Sequence, residues 1–409
     1  MGGRAVISVE EALARLLEPL AALPPEQISL VDGLGRVLAE DVAARRTQPP
    51  FAVSAMDGYA VRSEDLIAIP VELRIVAEVP AGAGFGGHVG AGEAARIFTG
   101  APLPAGTDTI VIQEDTQRNG DRVRVLEGAP RGRYVRREGL DFAEGEVLLQ
   151  SGRRLTARDI GLLAAMNRPW LFVHRRPRIG ILSTGDEIVM PGDPIGPHQI
   201  VSSNSLSLAA VVTACGGVPV SAGNAPDDPA ALRRVAAATS GVDLLVTTGG
   251  VSVGEHDLVR EALAVDGFEL DFWQIAMRPG KPLMVGRYRG TPLIGLPGNP
   301  VSTLVCALLF LKPALNRLSG ALAETEARST ARLGVALSKN DRRQDYLRSR
   351  LVRAADGTLE VFPFEVQDSS MMRLLAAADC LVVRPPHAPA VAAGTIVPII
   401  RFPDAVLPI

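Results

Sequence analysis

Four short segments of this chain set small residues beside a carboxylate, a cation or a helix start: SAMDGYAVR (54–62), STGDE (183–187), TTGGVSVGEHD (247–257) and RPGKPL…GLPGNP (278–300). Glycines such as Gly249, Gly250, Gly254 and Gly298, with Ser252 among them, let a phosphate approach the backbone closely. A helix N-terminus adds unpaired N–H groups and a positive dipole end. Pro297, Asn299 and Pro300 mark such a start, with Asn299 at the cap and Pro300 in the first turn. Carboxylates grouped with Gly, Ser and Thr around a phosphate suit Mg²⁺, which takes oxygen ligands and usually binds through one or two carboxylates plus substrate phosphate. Glu187, Asp227 and Asp257 are the candidate donors, and the same set leaves Zn²⁺ open. Arg278 and Lys281 flank Pro279-Gly280 in a rigid loop and could clamp an oxyanion.

Each feature also has a plainer reading. Any one glycine loop can be a tight turn with a helix cap. Asp57 can belong to a type I turn closed by Gly58, Arg136-Arg137 to a solvated face, and His256 to the structure alone. Asp257 can cap its helix. Of Asp227 and Asp228, the second precedes Pro229 and is the better cap, which leaves Asp227 for a cleft. Three such loops in one α/β unit, with two carboxylates among them, favour a site. The unit contains neither a G-x-x-x-x-G-K-[ST] phosphate loop nor a G-x-G-x-x-G dinucleotide fingerprint.

The positioning elements follow from hydrophobic periodicity. Ser8 and Glu11 precede Val9, Leu13, Leu16 and Leu17 in a helix-start pattern, with Pro24-Pro25 as its stop. From Pro49 to Gly145 the stretches VELRIVAEV, ARIF, TIVIQE and DRVRVL read as strands of a β-rich module. Thr156 opens another helix to Asn167, expected to pack with the first while the β-module is inserted between them. From Arg178 short apolar strands alternate with helices, which argues for a parallel sheet covered on both faces. After Ser329 strands return, with a helical piece from Met371 to Ala378, as a small β-barrel or sandwich. The expected layout is a split helical unit (1–47 and 146–177), an inserted β-rich unit (48–145), a three-layer α/β unit (178–328) and a C-terminal β-barrel (329–409).

Composition narrows the function classes. At 409 residues the chain exceeds a single core, and 47% hydrophobic with 21% charged residues is ordinary for a soluble globular protein. A net charge of −3 offers no global basic field for nucleic acid, so anion binding must be local. Lys281 stands out as one of three lysines. Cys215, Cys306 and Cys380 lie too far apart for a C-x-x-C zinc site. The apolar stretch Val301 to Leu311 is shorter than the roughly 20 residues that span a bilayer, and no secretory signal is visible. A cytoplasmic protein that binds no nucleic acid or membrane is expected.

In order, PPFAVSAMDGYAVR, IFTGAPLPAGTDTIVIQED, VRREGLDF, STGDE, TTGGVSVGEHD, RPGKPL and GLPGNPVS resemble the molybdopterin molybdenumtransferase family, whose eukaryotic relatives include the E domain of gephyrin. The resemblance implies four domains and an elongated homodimer. Its cleft would join the α/β domain of one subunit to the inserted and C-terminal domains of the other. It implies insertion of molybdenum from molybdate into adenylylated molybdopterin, with release of AMP in a Mg²⁺-dependent step. Possible partners are a molybdopterin adenylyltransferase and molybdoenzyme apoproteins or chaperones. By motif match, Asp57, Thr99, Arg136, Glu187, Asp227, Asp257, Pro297 and Pro300 fall on the family's cleft. Two departures stand out: some members carry lysine where this chain has Gln274 and Arg278, and many carry serines where it has Arg373 and Leu374. A gephyrin-like scaffold, or a nucleotide-processing enzyme sharing only the α/β unit, is the alternative.

Overall fold

The computed structural model describes residues 6–250, 258–322 and 329–402. Asp257, His256, Ser252 and Gly254 therefore lie outside the described residues. The first helix, Val9–Leu17, starts where expected, with the Ser8 hydroxyl accepting from the Glu11 amide at 3.0 Å. It ends two residues before Pro19 rather than at Pro24-Pro25, since Pro19 is the first residue that cannot donate to the preceding turn. Its buried face, Val9, Ala12 and Leu16, shares a core with Phe310, Leu311 and Leu315 of the α/β unit. The expected partner, helix Ala157–Ala165, packs elsewhere: Leu163 joins Leu38, Phe142, Leu149 and Leu171 in a separate core. That core is closed by two strand pairs, Pro25–Ser29 with Trp170–His174 and Val42–Ala43 with Val147–Leu149. Both pairs bring sequence from before the β-rich insertion against sequence after it.

The insertion builds one six-stranded sheet. In order its strands are Thr109–Ile112, Gly58–Val61, Glu93–Ile97, Val71–Val79, Arg122–Val125 and Thr116–Asn119. Alternate residues feed the two faces: Tyr59 and Val61 enter one core and Ala60 the other. Strand Gly58–Val61 begins inside the SAMDGYAVR motif, so Gly58 is a strand residue rather than the end of a turn.

The α/β unit carries a sheet ordered Val218–Ala225, Arg178–Thr184, Leu244–Thr248, Thr291–Leu296, Pro282–Tyr288 and Phe268–Gln274. The first four run parallel, as the alternation implies, while the last two are an antiparallel edge. Ile179, Ile181, Leu244, Val246, Ile294 and Leu296 point into one core, and Leu182, Leu245 and Leu293 into the other. Helical residues continue beyond the apolar stretch, from Pro300 to Leu318, and this 19-residue run is apolar and long enough to cross a membrane. Val301, Val305, Phe310, Leu311, Leu315 and Leu318 of that run are buried in the core.

The C-terminal strands close a five-membered barrel: Gln344–Arg353 pairs with Leu359–Pro363, then Ser329–Leu333, Ile396–Arg401, Cys380–Arg384 and back to Gln344–Arg353. Closure removes free sheet edges. The two-residue strand Met277–Arg278 of the α/β unit extends this barrel by pairing in parallel with Gln344 and Asp345.

Candidate active site

Three loops meet at the carboxyl end of the parallel strands, where open α/β sheets bind ligands. Gly249 and Gly250 both have φ in the left-handed region, at 85° and 63°. A Cβ on Gly249 would stand 2.5 Å from the Thr184 carbonyl, so the TTGG turn lies flat on the STGDE loop only because both positions are glycine. The Thr248 hydroxyl donates to the Pro297 carbonyl at 3.2 Å. The Asn204 amide donates to Thr248 Oγ1 at 3.0 Å and to the Gly298 carbonyl at 2.7 Å. STGDE, TTGG and PGNP are thus laced into one surface, with Asn204 as a tie that the sequence motifs do not mark.

The carboxylates sit at its rim. Asp228 caps helix Pro229–Ala237, its Oδ2 accepting from the Ala231 amide at 2.7 Å, and Asp227 makes no such cap. Asp186, which the sequence pattern does not set apart from its neighbour Glu187, accepts from the Asp227 amide at 3.1 Å and pins the two acidic loops together. Glu187 is exposed, its carboxylate folded over Gly185. Among the described residues no three acidic, histidine or cysteine side chains form a ready-made metal cluster. The donor set is nevertheless all hard oxygen. In the strand ends that carry it, Ser183 Oγ, Thr184 Oγ1, Thr247 Oγ1 and Asn224 Oδ1 are buried without a hydrogen-bond partner among the described residues. Such chemistry fits a Mg²⁺ ion that takes one or two protein carboxylates and completes its shell from a bound phosphate.

The helix start differs in one respect from the expectation. Asn299 occupies the cap position, but its side chain does not cap: it donates to Ser369 Oγ at 2.8 Å. The Ser369 carbonyl accepts from the Val301 amide at 3.1 Å, taking one of the helix's free donors. Ser369 belongs to the C-terminal barrel's 364–371 segment, which rests on Arg348. This guanidinium is 1% exposed and donates to the Asp368 carbonyl at 2.7 Å and to Gln367 Oε1 at 3.2 Å.

The two cations of the RPGKPL loop behave differently. Arg278 is engaged by Asp345, with Asp341 and Asn340 at 3.4 Å, all in the barrel. Hydrogen bonding from Arg343 holds the Asp341 carboxyl well below the usual range. Lys281 has no carboxylate partner among the described residues.

The inserted unit holds the remaining candidates. Asp57 Oδ1 accepts from the Thr99 amide at 2.7 Å and from the Thr99 hydroxyl at 2.8 Å. These bonds, the amide first, hold its carboxyl below the ordinary carboxylate range, with Arg96 adding to the effect. Gly58 permits the arrangement, because a Cβ there would stand 2.0 Å from the Val111 carbonyl of the neighbouring strand. Arg136 lies in the strand Val135–Arg136, paired with Val53–Ser54. Beside it opens a pocket of about 790 Å³, to which Arg46, Gln48 and Asp141 also contribute. No hydrogen bond or ion pair between described side chains joins the Asp57–Thr99 group to the three-loop surface of the same chain.

Known proteins match this chain over most of its length. Residues 7–167 match the MoeA N-terminal region (domain I and II), 180–317 the probable molybdopterin binding domain, and 330–402 the MoeA C-terminal region (domain IV). Molybdopterin molybdenumtransferase 2 of Mycobacterium tuberculosis is 36% identical over 398 residues, covering 95% of this chain and 98% of the relative. The molybdopterin molybdenumtransferase of Haemophilus influenzae is 32% identical, covering 97% and 99%. The crystal structure of the molybdopterin biosynthesis MoeA protein from Pyrococcus horikoshii OT3 superposes with a TM-score of 0.84 at 28% identity, covering 97% of this chain and 100% of that one. Because the likeness extends over the inserted and C-terminal regions, an enzyme sharing only the α/β unit is not favoured. With all three family regions matched between residues 7 and 402 and relatives at 32–36% identity covering 95–97% of its length, the chain belongs to the molybdopterin molybdenumtransferase family.

Proposed function

We propose that this chain is a transferase of molybdenum cofactor biosynthesis that inserts molybdenum from molybdate into adenylylated molybdopterin and releases AMP. The observation that carries the reading is one glycine-floored surface rimmed by acids, in which TTGG lies against Thr184 of STGDE and is tied to PGNP through Thr248 and Asn204. A peptide-binding scaffold needs no such surface. Glycine backbone there, with the helix start at Pro300, holds the phosphoanhydride of the substrate. Lys281, which has no carboxylate partner among the described residues, neutralises the incoming molybdate, and Arg278 fixes the loop that carries it. Glu187 and Asp227, with Asp257, hold Mg²⁺, which supplies charge neutralisation at the phosphates. The Asp57–Thr99 pair and Arg136 complete the cleft from a second copy of the chain, so that the working unit is a homodimer. Asp57, kept ionised by Thr99, orients the attacking water.

The test is molybdate-dependent AMP release from adenylylated molybdopterin by the purified full chain. Release that requires molybdate supports the reading, and AMP formation indifferent to molybdate, or none, removes it. Lys281→Ala is expected to slow release by about 10²–10³-fold, the usual effect of deleting one oxyanion donor.

A further inference from the structure

Strand Glu93–Ile97 runs into the IFTGAP segment, so one strand end delivers two side chains toward Asp57. Thr99 bonds the carboxylate itself. Arg96, three residues earlier, stands opposite Tyr59 in the antiparallel ladder with strand Gly58–Val61. Its guanidinium lies over two rings, 5.2 Å from the centre of Tyr59 and 4.8 Å from that of Phe98. Such stacking suits a flat, delocalised cation better than the compact ammonium of a lysine. The fork then reaches the two chain segments that meet at Asp57. Arg96 Nη1 donates to the Gly58 carbonyl at 3.0 Å, one residue after the carboxylate. Nη2 donates to Gln113 Oε1 at 2.8 Å, and the Gln113 amide in turn donates to the Asp57 carbonyl at 3.1 Å. An arginine that merely covered Tyr59 would need neither acceptor. Its positive charge also adds to the Thr99 bonds in holding the Asp57 carboxyl below its ordinary range. On the preceding side the buried Ser54 hydroxyl donates to the Met56 carbonyl at 2.6 Å, so the main chain is fixed on both flanks of Asp57.

We propose that Arg96 is a positioning residue for the reaction, clamping the Gly58 and Gln113 segments together so that the Asp57 carboxylate is presented in one fixed orientation. The inference rests on the role given to Asp57 above and deepens it. Arg96 acts through Asp57 and touches no substrate. The two supports divide the work: Thr99 holds a carboxylate oxygen, and Arg96 holds the main chain that carries it. A side chain bonded at its tip alone would still move with its loop. A reacting group is kept within about 0.5 Å of its productive geometry by neighbours whose own rotamers are locked, as the two rings lock this guanidinium. A misplacement of about 1 Å can cost on the order of 10²-fold in rate.

The experiment compares the full-length wild type with Arg96→Met, which keeps an apolar body beside the rings and removes the fork, and with Arg96→Lys. Each is first checked for an unchanged thermal midpoint. Two readouts are taken: kcat and KM of molybdate-dependent AMP release, and an NMR titration of the Asp57 carboxyl. In Arg96→Met, kcat is expected to fall roughly ten- to a hundredfold with KM unchanged, and Asp57 to titrate higher than in the wild type. Arg96→Lys keeps the charge without the fork and should recover part of both. If Arg96→Met melts early, Gln113→Ala reads the same link from an exposed position, with a severalfold fall in kcat and none in affinity. Wild-type kcat in these variants overturns the assignment, as does a loss confined to KM. An Asp57 carboxyl in Arg96→Met that titrates as in the wild type overturns it too. Absence of molybdate-dependent release from the wild type overturns the proposed function instead, and the Asp57 titration then decides the link to Arg96 by itself.

Discussion

Asp57 is exposed enough to be hydrated, yet both of its strong contacts come from one residue, Thr99. A carboxyl whose value is lowered on folding contributes stability at pH above its unfolded value of about 3.9. That contribution is lost as pH falls through the lower folded value. Asp57 therefore stays charged throughout the neutral range and contributes no acid limb there. In Thr99→Val the hydroxyl bond disappears and the amide bond remains, so the Asp57 carboxyl should titrate higher than in the wild type. An NMR titration reads this directly, and an unchanged value contradicts the assignment. Gly58→Ala should be more disruptive, since the added methyl meets a backbone carbonyl rather than a mobile side chain. Unfolding measurements should register a loss of at least about 1–3 kcal/mol, typical of overpacking. The SAMDGYAVR motif made Asp57 and Gly58 visible as a pair but not the reason for the glycine, because a strand neighbour 53 residues away is not written in local spacing (58 to 111). Asp186 was hidden by Glu187, and Asn204 by its ordinary position at a helix start.

Helix starts and strand ends decide how the loops hold together. The parallel strands were legible as short apolar runs, whereas Phe268–Gln274 was not, because a half-exposed edge strand interleaves Glu269, Asp271 and Gln274 with its apolar residues. Asn299 was placed correctly at a cap yet bonds across to the barrel, a long-range contact that propensity cannot register. Ser369→Ala should therefore loosen the PGNP turn through loss of one neutral hydrogen bond, about 0.5–1.5 kcal/mol, visible as faster amide exchange at Val301 to Thr303. Arg278→Ala removes the main partner of Asp345, which is 5% exposed. With the arginine itself half exposed, a loss of about 1–3 kcal/mol in unfolding is expected, short of the full penalty for a buried pair. A melt unchanged from wild type would show that the latch to the barrel carries no load.

At the scale of the molecule, the proposed site residues fall into two groups. One is the glycine-floored edge with Glu187 and Asp227, and the other the Asp57–Thr99 group beside the arginine pocket. Each lies on its own sheet with its own core, the first over the α/β core and the second over the cores of the insertion. If two copies join opposite halves, damage to each half in different copies is repairable by mixing. The measurement is molybdate-dependent AMP release from Asp57→Ala and Glu187→Ala proteins, each inactive alone, after dissociation and reassembly together. A cleft shared between copies predicts recovery of about a quarter of wild-type activity, because half of the random dimers are mixed and one of their two clefts is intact. Activity no higher than that of either parent, with mixed dimers present, would contradict the account.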